Sequence, residues 1–312
     1  MGWKNLRNGT GNNMKNLGNK SQIVLALAKI SGVGNAKINK LYNTIIKDSS
    51  DLDDICKRIS IELKSEDIYS EDIINQVHKD ISYAEQNGIK IITIADEDFP
   101  AITSPDVPNG DKPTILYYIG DIALLNNKEK NVSIIGTRTP DAFGQRACEI
   151  VTRSVINMGF VIVSGLANGC DSIAHETTVQ AGARTIAILP TPPNNTKINK
   201  ELAQDILNKG GLLVSEYLYP DRSQMEYSAN CAKRDKLIAM YCSTLILISG
   251  GVKSGSAIAV EHAKKYKTNI GVVKPKGQFD PDKFSLNVTL LCGSRDSTTS
   301  ISIDEQGMHL DL

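Results

Sequence analysis

Two strand-to-loop junctions constrain this chain more than any other feature. The first carries the apolar run Val132 to Ile135 into Gly136, Thr137, Arg138, Thr139 and Pro140, and closes at Phe143 and Gly144. The second carries Phe160 to Val163 into Ser164, Gly165, Leu166, Ala167, Asn168, Gly169, Cys170 and Asp171. Each is a short β-type run, then small residues, then a helical pattern, which places hydroxyl-bearing loops at the carboxyl ends of neighbouring parallel strands. Glycines there let backbone amides approach an anion, the following helix N-terminus adds partial positive charge, and Arg138 supplies a forked donor. The pair predicts a phosphate-reading edge on an open α/β sheet.

The alternation of strands and helices continues downstream. Ala147, Ile150, Val151, Val155 and Met158 recur at helical spacing up to Gly159, and a second helix runs from Ile173 to Ala181, stopped by Gly182. Strands are expected at Thr185 to Leu189, Leu212 to Ser215, Thr244 to Ser249 and Ile270 to Val273, with a helix between the first two ending at Leu207. Ser249 leads into Gly250 and Gly251, and Lys253, Ser254, Gly255 and Ser256 open a helix ending near Tyr266. This order predicts a Rossmann-like, doubly wound, mostly parallel sheet. Val288 to Cys292 reads as one more strand, followed by a stretch rich in Ser and Thr.

Upstream, residues 21–88 read as a helical domain. Ile23, Leu27 and Ile30 share one face, Ser31 to Gly34 make a tight turn, and Ala36, Ile38, Leu41, Tyr42 and Ile45 follow. The arrangement resembles a helix-hairpin-helix motif, in which amides at the start of the second helix grip one DNA phosphate. Gly32 and Gly34 are then the candidate contacts, although a helical hairpin with a glycine turn is equally a packing device. The acid-rich stretch Lys47 to Asp72 would repel DNA from that side. Residues 89–130, with strands at Ile89 to Ile94 and Pro113 to Gly120, read as a lead-in to a large domain spanning 89–312. Residues 1–20 read as a disordered basic tail: Lys4, Arg7, Lys15 and Lys20 stand among Asn and Gly with no apolar core for a signal peptide.

Charge and cysteine usage exclude several classes. Lys plus Arg number 35 against 35 Asp plus Glu, so a nucleic-acid site must be a local patch rather than a basic face. Lys233, Arg234 and Lys236 form the candidate patch, while Lys264, Lys265 and Lys267 read better as a solvated helix end. The six cysteines are scattered, with no Cys-x-x-Cys pair and no His at ligand spacing, which argues for neither a disulfide framework nor a metal site and makes a cytoplasmic location the expectation. The longest apolar run, Ile23 to Ala28, falls far short of the roughly 20 residues of a membrane helix.

Taken in order, these segments resemble the DNA-processing protein A (DprA, or Smf) family over roughly residues 20–275. The most specific is Ser-Gly-Leu-Ala-x-Gly-x-Asp at Ser164 to Asp171, followed by Ala174 and His175. The resemblance implies a single-stranded DNA binding protein, homodimeric and without a cofactor, that hands the strand to the RecA recombinase in DNA uptake, recombination or a defence locus. It also implies roles. Arg138 clamps a phosphate, while Gly136, Thr137, Gly144, Ser164, Gly165, Ala167 and Gly169 present amides and hydroxyls. Lys233, Arg234 and Lys236 flank the groove, and Ser254, Gly255 and Ser256 form its last wall. Phe143 is either a platform for a stacked base or a side chain packed under the loop.

Other residues have simpler readings. Asp171 and His175 are expected to order the loop, with Asp171 as a helix N-cap before Ser172. The serines lack a partnered base and are expected to bind phosphate rather than attack it. Glu216 reads as the buried partner of a basic residue. The chain departs from the family where many relatives have Arg-Asn-Arg: here Arg234, Asp235 and Lys236 place a negative charge between two cations. A nucleotide sensor or a phosphoribohydrolase-like enzyme is the alternative reading: enzymes of a related Rossmann-like fold use a Pro-Gly-Gly-x-Gly-Thr-x-x-Glu loop, whose start Ser249, Gly250 and Gly251 resemble. Against it, the expected carboxylate position holds Ala259, with Glu261 two residues on. An interaction module with a vestigial site is the third.

Overall fold

The computed structural model describes residues 17–293, 298–304 and 307–311, so most of the basic tail lies outside the described residues. The chain divides into two compact units, residues 1–117 and 118–312.

The first unit is built on helices α1 (Asn19–Leu27), α2 (Asn35–Leu41), α3 (Leu52–Leu63) and α4 (Glu71–Gln86), followed by β1 (Lys90–Thr93) and the start of β2 (Ile115–Gly120). Ile23 to Leu27 are all buried, so α1 is the central helix, apolar on every side. Its neighbours are amphipathic: Ile55, Cys56 and Ile59 of α3 and Ile73, Val77, Ile81 and Ala84 of α4 turn inward. Both start on side-chain caps, Asp51 accepting from the Asp53 amide at 3.0 Å and Ser70 from the Ile73 amide at 3.3 Å. Between α1 and α2, Gly32 takes φ of 76° to close the hairpin turn, and Gly34 precedes α2.

Residues 90–117 group with these helices rather than with the large domain that the sequence reading assigned them to. Ile91, Ile94 and Ile115 pack on the helical core. The Thr114 hydroxyl donates to the side-chain amide oxygen (Oδ1) of Asn35 at 2.9 Å, and that of Ser21 to Asp96 Oδ1 at 2.6 Å.

The second unit contains the doubly wound sheet. Its elements are β3 (Asn131–Ile135), α5 (Ala142–Asn157), β4 (Val161–Ser164), α6 (Cys170–Gln180), β5 (Thr185–Leu189), α7 (Lys200–Asn208) and β6 (Leu212–Ser215), then α8 (Gln224–Met240), β7 (Thr244–Leu247), α9 (Gly255–Lys265), β8 (Asn269–Val273) and α10 (Ser285–Cys292). A hairpin of β9 (Thr298–Ile303) and β10 (Met308–Asp311) ends the described chain. The strand order from β2 onward is β2-β6-β5-β4-β3-β7-β8-β9-β10. The registered pairs from β6 through β9 are parallel, and β9 with β10 is antiparallel.

Alternation along β3 assigns its two faces. Val132 and Ile134 share a core with Ala147, Cys148, Val151 and Val155 of α5, while Ser133 Oγ, from the opposite face, donates to the Ile238 carbonyl of α8 at 2.7 Å. From β3 the chain steps outward through β4, β5 and β6, then returns to β7 on the other side of β3. The strand order therefore reverses at β3 and β7, and a crevice opens beyond their carboxyl ends, where such sheets take ligands.

Residues 288–292, expected as a strand, are the end of α10. Leu286, Asn287 and Leu290 turn one buried stripe to the sheet, and the β-branched Thr289 satisfies its hydroxyl by donating to the Ser285 carbonyl at 2.8 Å. The stretch rich in Ser and Thr forms β9 instead. Asn287 is wholly buried and clamps the sheet edge: it accepts from the Gly250 amide at 3.0 Å and donates to the Val273 and Ile248 carbonyls at 2.9 and 3.0 Å. Among the described residues no helix is long and apolar enough to cross a membrane.

Asn287→Ala is expected to lower stability by about 2–4 kcal/mol in chemical denaturation, because three buried backbone groups lose their partner. Val288→Ala, at a position 44% exposed on the same helix, is expected to change it by no more than about 0.5 kcal/mol.

Candidate functional site

At the crevice the loops after β3, β4 and β7 interlock. The Thr137 amide donates to the Ser249 carbonyl at 2.7 Å, and the Cys170 amide to the Thr137 carbonyl at 3.1 Å. Gly169, with φ of 83°, lies so close to Thr137 and Arg138 that a Cβ there would overlap their backbone. The Thr137 amide, expected to face a phosphate, is thereby spent inside the protein.

Asp171 spends two more. It sits inside the first turn of α6, whose N-cap is Gly169, so it is not the cap that was expected. Its carboxylate instead reaches back to accept from the Gly165 and Ala167 amides at 3.2 and 3.4 Å, which ties the loop into a closed turn. Ser164 Oγ donates to the Ile134 carbonyl at 2.6 Å between buried strands, so this hydroxyl does not reach a ligand. His175 is wholly buried, with Nδ1 at 2.8 Å from Thr185 Oγ1, and burial followed by the charge of Arg234 pushes its pKa down to about 3. It is a neutral packing residue of the loop's foundation.

Arg234 is the centre of this region. It is 6% exposed, and its Nη1 donates to the Ile188 carbonyl at 2.6 Å. The guanidinium lies against Gly165, where a Cβ would overlap it. Its Nε is 3.2 Å from Asp235 Oδ1 but has no hydrogen-bond partner among the described residues, so this pair is held by charge rather than by a directed bond. Asp171 supplies a second negative charge: burial raises its pKa, and Arg234 opposes the rise. The Asp235 carboxyl is pushed up to about 6, chiefly by burial and further by Asp171, against the pull of Arg234 and Arg138.

Two adjoining cavities open here. The larger, about 400 Å³, is lined by Gly136, Thr137, Arg138, Ala167, Arg234, Ser254, Gly255 and Ser256 of the expected set, together with Asp171, Tyr227, Cys231, Asp235, Ile238 and Ile258. The smaller, about 170 Å³, lies between Gly165 to Asn168, Pro190, Thr191 and Thr196 to Ile198, and shares Arg138, Tyr227, Cys231 and Arg234 with the first. Arg138 is exposed, and its guanidinium has no hydrogen bond or ion pair among the described residues. Ser254 precedes α9 without capping it, and its Oγ is likewise unpartnered among them.

Other expected site residues stand elsewhere. Phe143 packs on the sheet core and meets Phe284 with ring centroids 5.5 Å apart, and it lines neither cavity. Gly144 is buried in the first turn of α5, its amide donating to the Asp141 cap at 2.8 Å. Lys236 is paired with Glu216 at 2.9 Å, the buried-partner role expected of that carboxylate, and Lys233 is exposed on α8 outside the cavity lining. The aromatic ring at the cavities is Tyr227, with Lys197 Nζ 4.4 Å from its centroid. The sequence reading assigned no helix between β6 and β7 and so missed it. Gln224, Tyr227, Ser228, Cys231, Asp235 and Ile238 recur at three- and four-residue steps, which is the face α8 turns to the cavity. Gly32 and Gly34 belong to the hairpin of the first unit.

Residues 90–287 match the family model described as DNA recombination-mediator protein A. The chain belongs to this family. It is 31% identical over 202 residues to the DNA processing protein DprA of Bacillus subtilis, covering 64% of this chain and 65% of that one. It is 30% identical over 197 residues to protein Smf of a Synechocystis strain, covering 60% and 46%, and 35% identical over 155 residues to DprA of Streptococcus pneumoniae, covering 49% and 52%. The matched regions thus span between 46% and 65% of these relatives' lengths. Among solved structures, DprA from S. pneumoniae superposes with a TM-score of 0.64 at 23% identity, covering 88% of this chain and 92% of that chain. A Helicobacter pylori DprA described for its single-stranded DNA binding mode gives 0.53 at 23% identity, covering 68% and 90%. Both share the fold.

The Asp235 carboxyl gives a pH-dependent prediction. With its folded pKa near 6 and an unfolded value near 3.8, ionisation costs stability that is absent below the unfolded value and fully developed above about 6. The difference in Tm between Asp235→Asn and the native protein is therefore expected to move in favour of the variant as pH rises from 4 to 7. A difference that stays flat over that range would show that Asp235 is not the group held out of water.

Proposed function

We propose that this chain binds single-stranded DNA by its phosphate backbone, without catalysing a covalent step. The observation that carries this reading is the exposed Arg138 guanidinium, unpaired among the described residues, at the mouth of a cavity shared with the α9 N-terminus. A forked cation and a helix N-terminus converging on one mouth suit a phosphate oxygen cluster. Tyr227 stands where a base attached to that phosphate can stack. Family membership supports a further part of the proposal: a homodimer that delivers the strand to a RecA-type recombinase, in DNA uptake, recombination or a defence locus.

The arrangement speaks against the hydrolytic alternative. Ala259, at the position where a carboxylate is needed, lines the cavity, whereas Glu261 is held by Lys264 at 3.0 Å outside it. Of the two carboxylates that do line the cavity, Asp171 is held in the closed turn and Asp235 has one oxygen beside the Arg234 guanidinium.

Fluorescence anisotropy of labelled oligo-dT over a salt series tests the proposal. Affinity is expected to fall with salt at a slope of about −0.7 per phosphate neutralised, and Arg138→Ala is expected to flatten that slope by about one such unit. Duplex DNA and AMP should compete poorly. Binding of AMP without binding of the oligonucleotide would replace this reading with a nucleotide site. Tyr227→Ala is expected to weaken binding by about 1–3 kcal/mol, whereas Phe143→Leu should act on thermal stability rather than on affinity.

A further inference from the structure

The larger cavity is divided by charge. Its rim carries the exposed Arg138 and the α9 N-terminus, while its floor carries Asp171 and Asp235, 7% and 8% exposed, beside Arg234. Two arginines and two aspartates nearly cancel, so a phosphate gains at the rim and meets carboxylates further in. What the floor accepts is an uncharged group with N–H donors, and about 400 Å³ walled by Ile135, Tyr227 and Ile238 is room for a planar heterocycle.

The two carboxylates are not equivalent. Asp171 is committed to the Gly165 and Ala167 amides. Asp235 has one oxygen 3.2 Å from the Arg234 Nε, a charge contact, and no hydrogen-bond partner among the described residues, although an ionised carboxylate offers about four acceptor sites. It is the acceptor with capacity left in the cavity floor.

We propose that Asp235 selects the base that enters this cavity, favouring cytosine and adenine, whose exocyclic amino groups donate to its carboxylate, over thymine. Cytosine N4 is a recognised partner of acidic side chains, and the adenine N6 amino group is a donor of the same kind. Thymine presents its ring N–H between two carbonyl oxygens, which a carboxylate repels. This inference rests on the strand-binding reading and adds base preference to it: phosphates at the rim are read without regard to sequence, and the floor adds a sequence-dependent contact.

The test compares oligo-dC, oligo-dA and oligo-dT of equal length, at a pH of about 8, where carboxylates and bases hold fixed charge states. Anisotropy titrations use the native protein, Asp235→Asn and Asp235→Ser. The native protein is expected to bind oligo-dC and oligo-dA roughly tenfold more tightly than oligo-dT, the scale of one hydrogen bond to a charged acceptor. In both variants that ratio is expected to collapse towards one. Equal binding of all three by the native protein, or a preference that survives in both variants, overturns the role of Asp235 and leaves backbone binding through Arg138 standing. Failure of every oligonucleotide to bind removes both proposals together. If Asp235→Ser alone proves unstable, the isosteric Asp235→Asn decides the outcome.

Discussion

The buried guanidinium of Arg234 is the interaction on which the candidate site depends. An arginine out of water must have its charge balanced and its donors met, or it costs several kcal/mol. The Ile188 carbonyl at the end of β5 takes one donor, Asp171 in α6 and Asp235 beside the arginine on α8 supply opposing charge, and Gly165 after β4 leaves the room the guanidinium fills. Each also shapes the cavity. Gly165 has no side chain because the guanidinium occupies its space, and Asp171 holds the loop amides beside Arg234, whose charge opposes the rise in pKa that burial imposes on it.

That arrangement explains why so few of the small residues at the junctions face a ligand. The amides of Gly165, Ala167, Thr137 and Cys170 all have partners inside the protein. They build a rigid edge rather than an open nest. Binding capacity is left to side chains that the edge supports, above all Arg138, and to the start of α9, which α10 steadies through Asn287 and Gly250. A site built this way holds its geometry before any ligand arrives, so less ordering entropy is lost on binding.

The departure at Asp235 acquires physical content in this setting. A negative charge between Arg234 and Lys236 in sequence does not cancel both cations in space, because Lys236 turns away to Glu216 on the other side of α8. Asp235 faces the cavity with Arg234, and the basic cluster that looked continuous along the chain separates into a paired lysine, an exposed lysine and a buried arginine. Helical periodicity, rather than adjacency, decides which of the three lines the cavity.

The sequence by itself determined the sheet and the edge that carries the candidate site. Short apolar runs that end in glycine and hydroxyl residues have few alternatives to parallel strands feeding helices, and the order of the runs puts Arg138 in a loop at the carboxyl end of one of them. It also determined the helical hairpin, through the spacing of Ile23, Leu27 and Ile38 about Gly32. Only the tertiary structure decided which groups remain free. Ser164 could have met a phosphate but faces the Ile134 carbonyl, Phe143 could have carried a base but packs against Phe284 from a distant segment, and residues 288–292 became a helix because Asn287 found three buried backbone groups to satisfy. In each case the deciding partner is remote along the chain and adjacent in space, so local propensity and spacing could not reveal it.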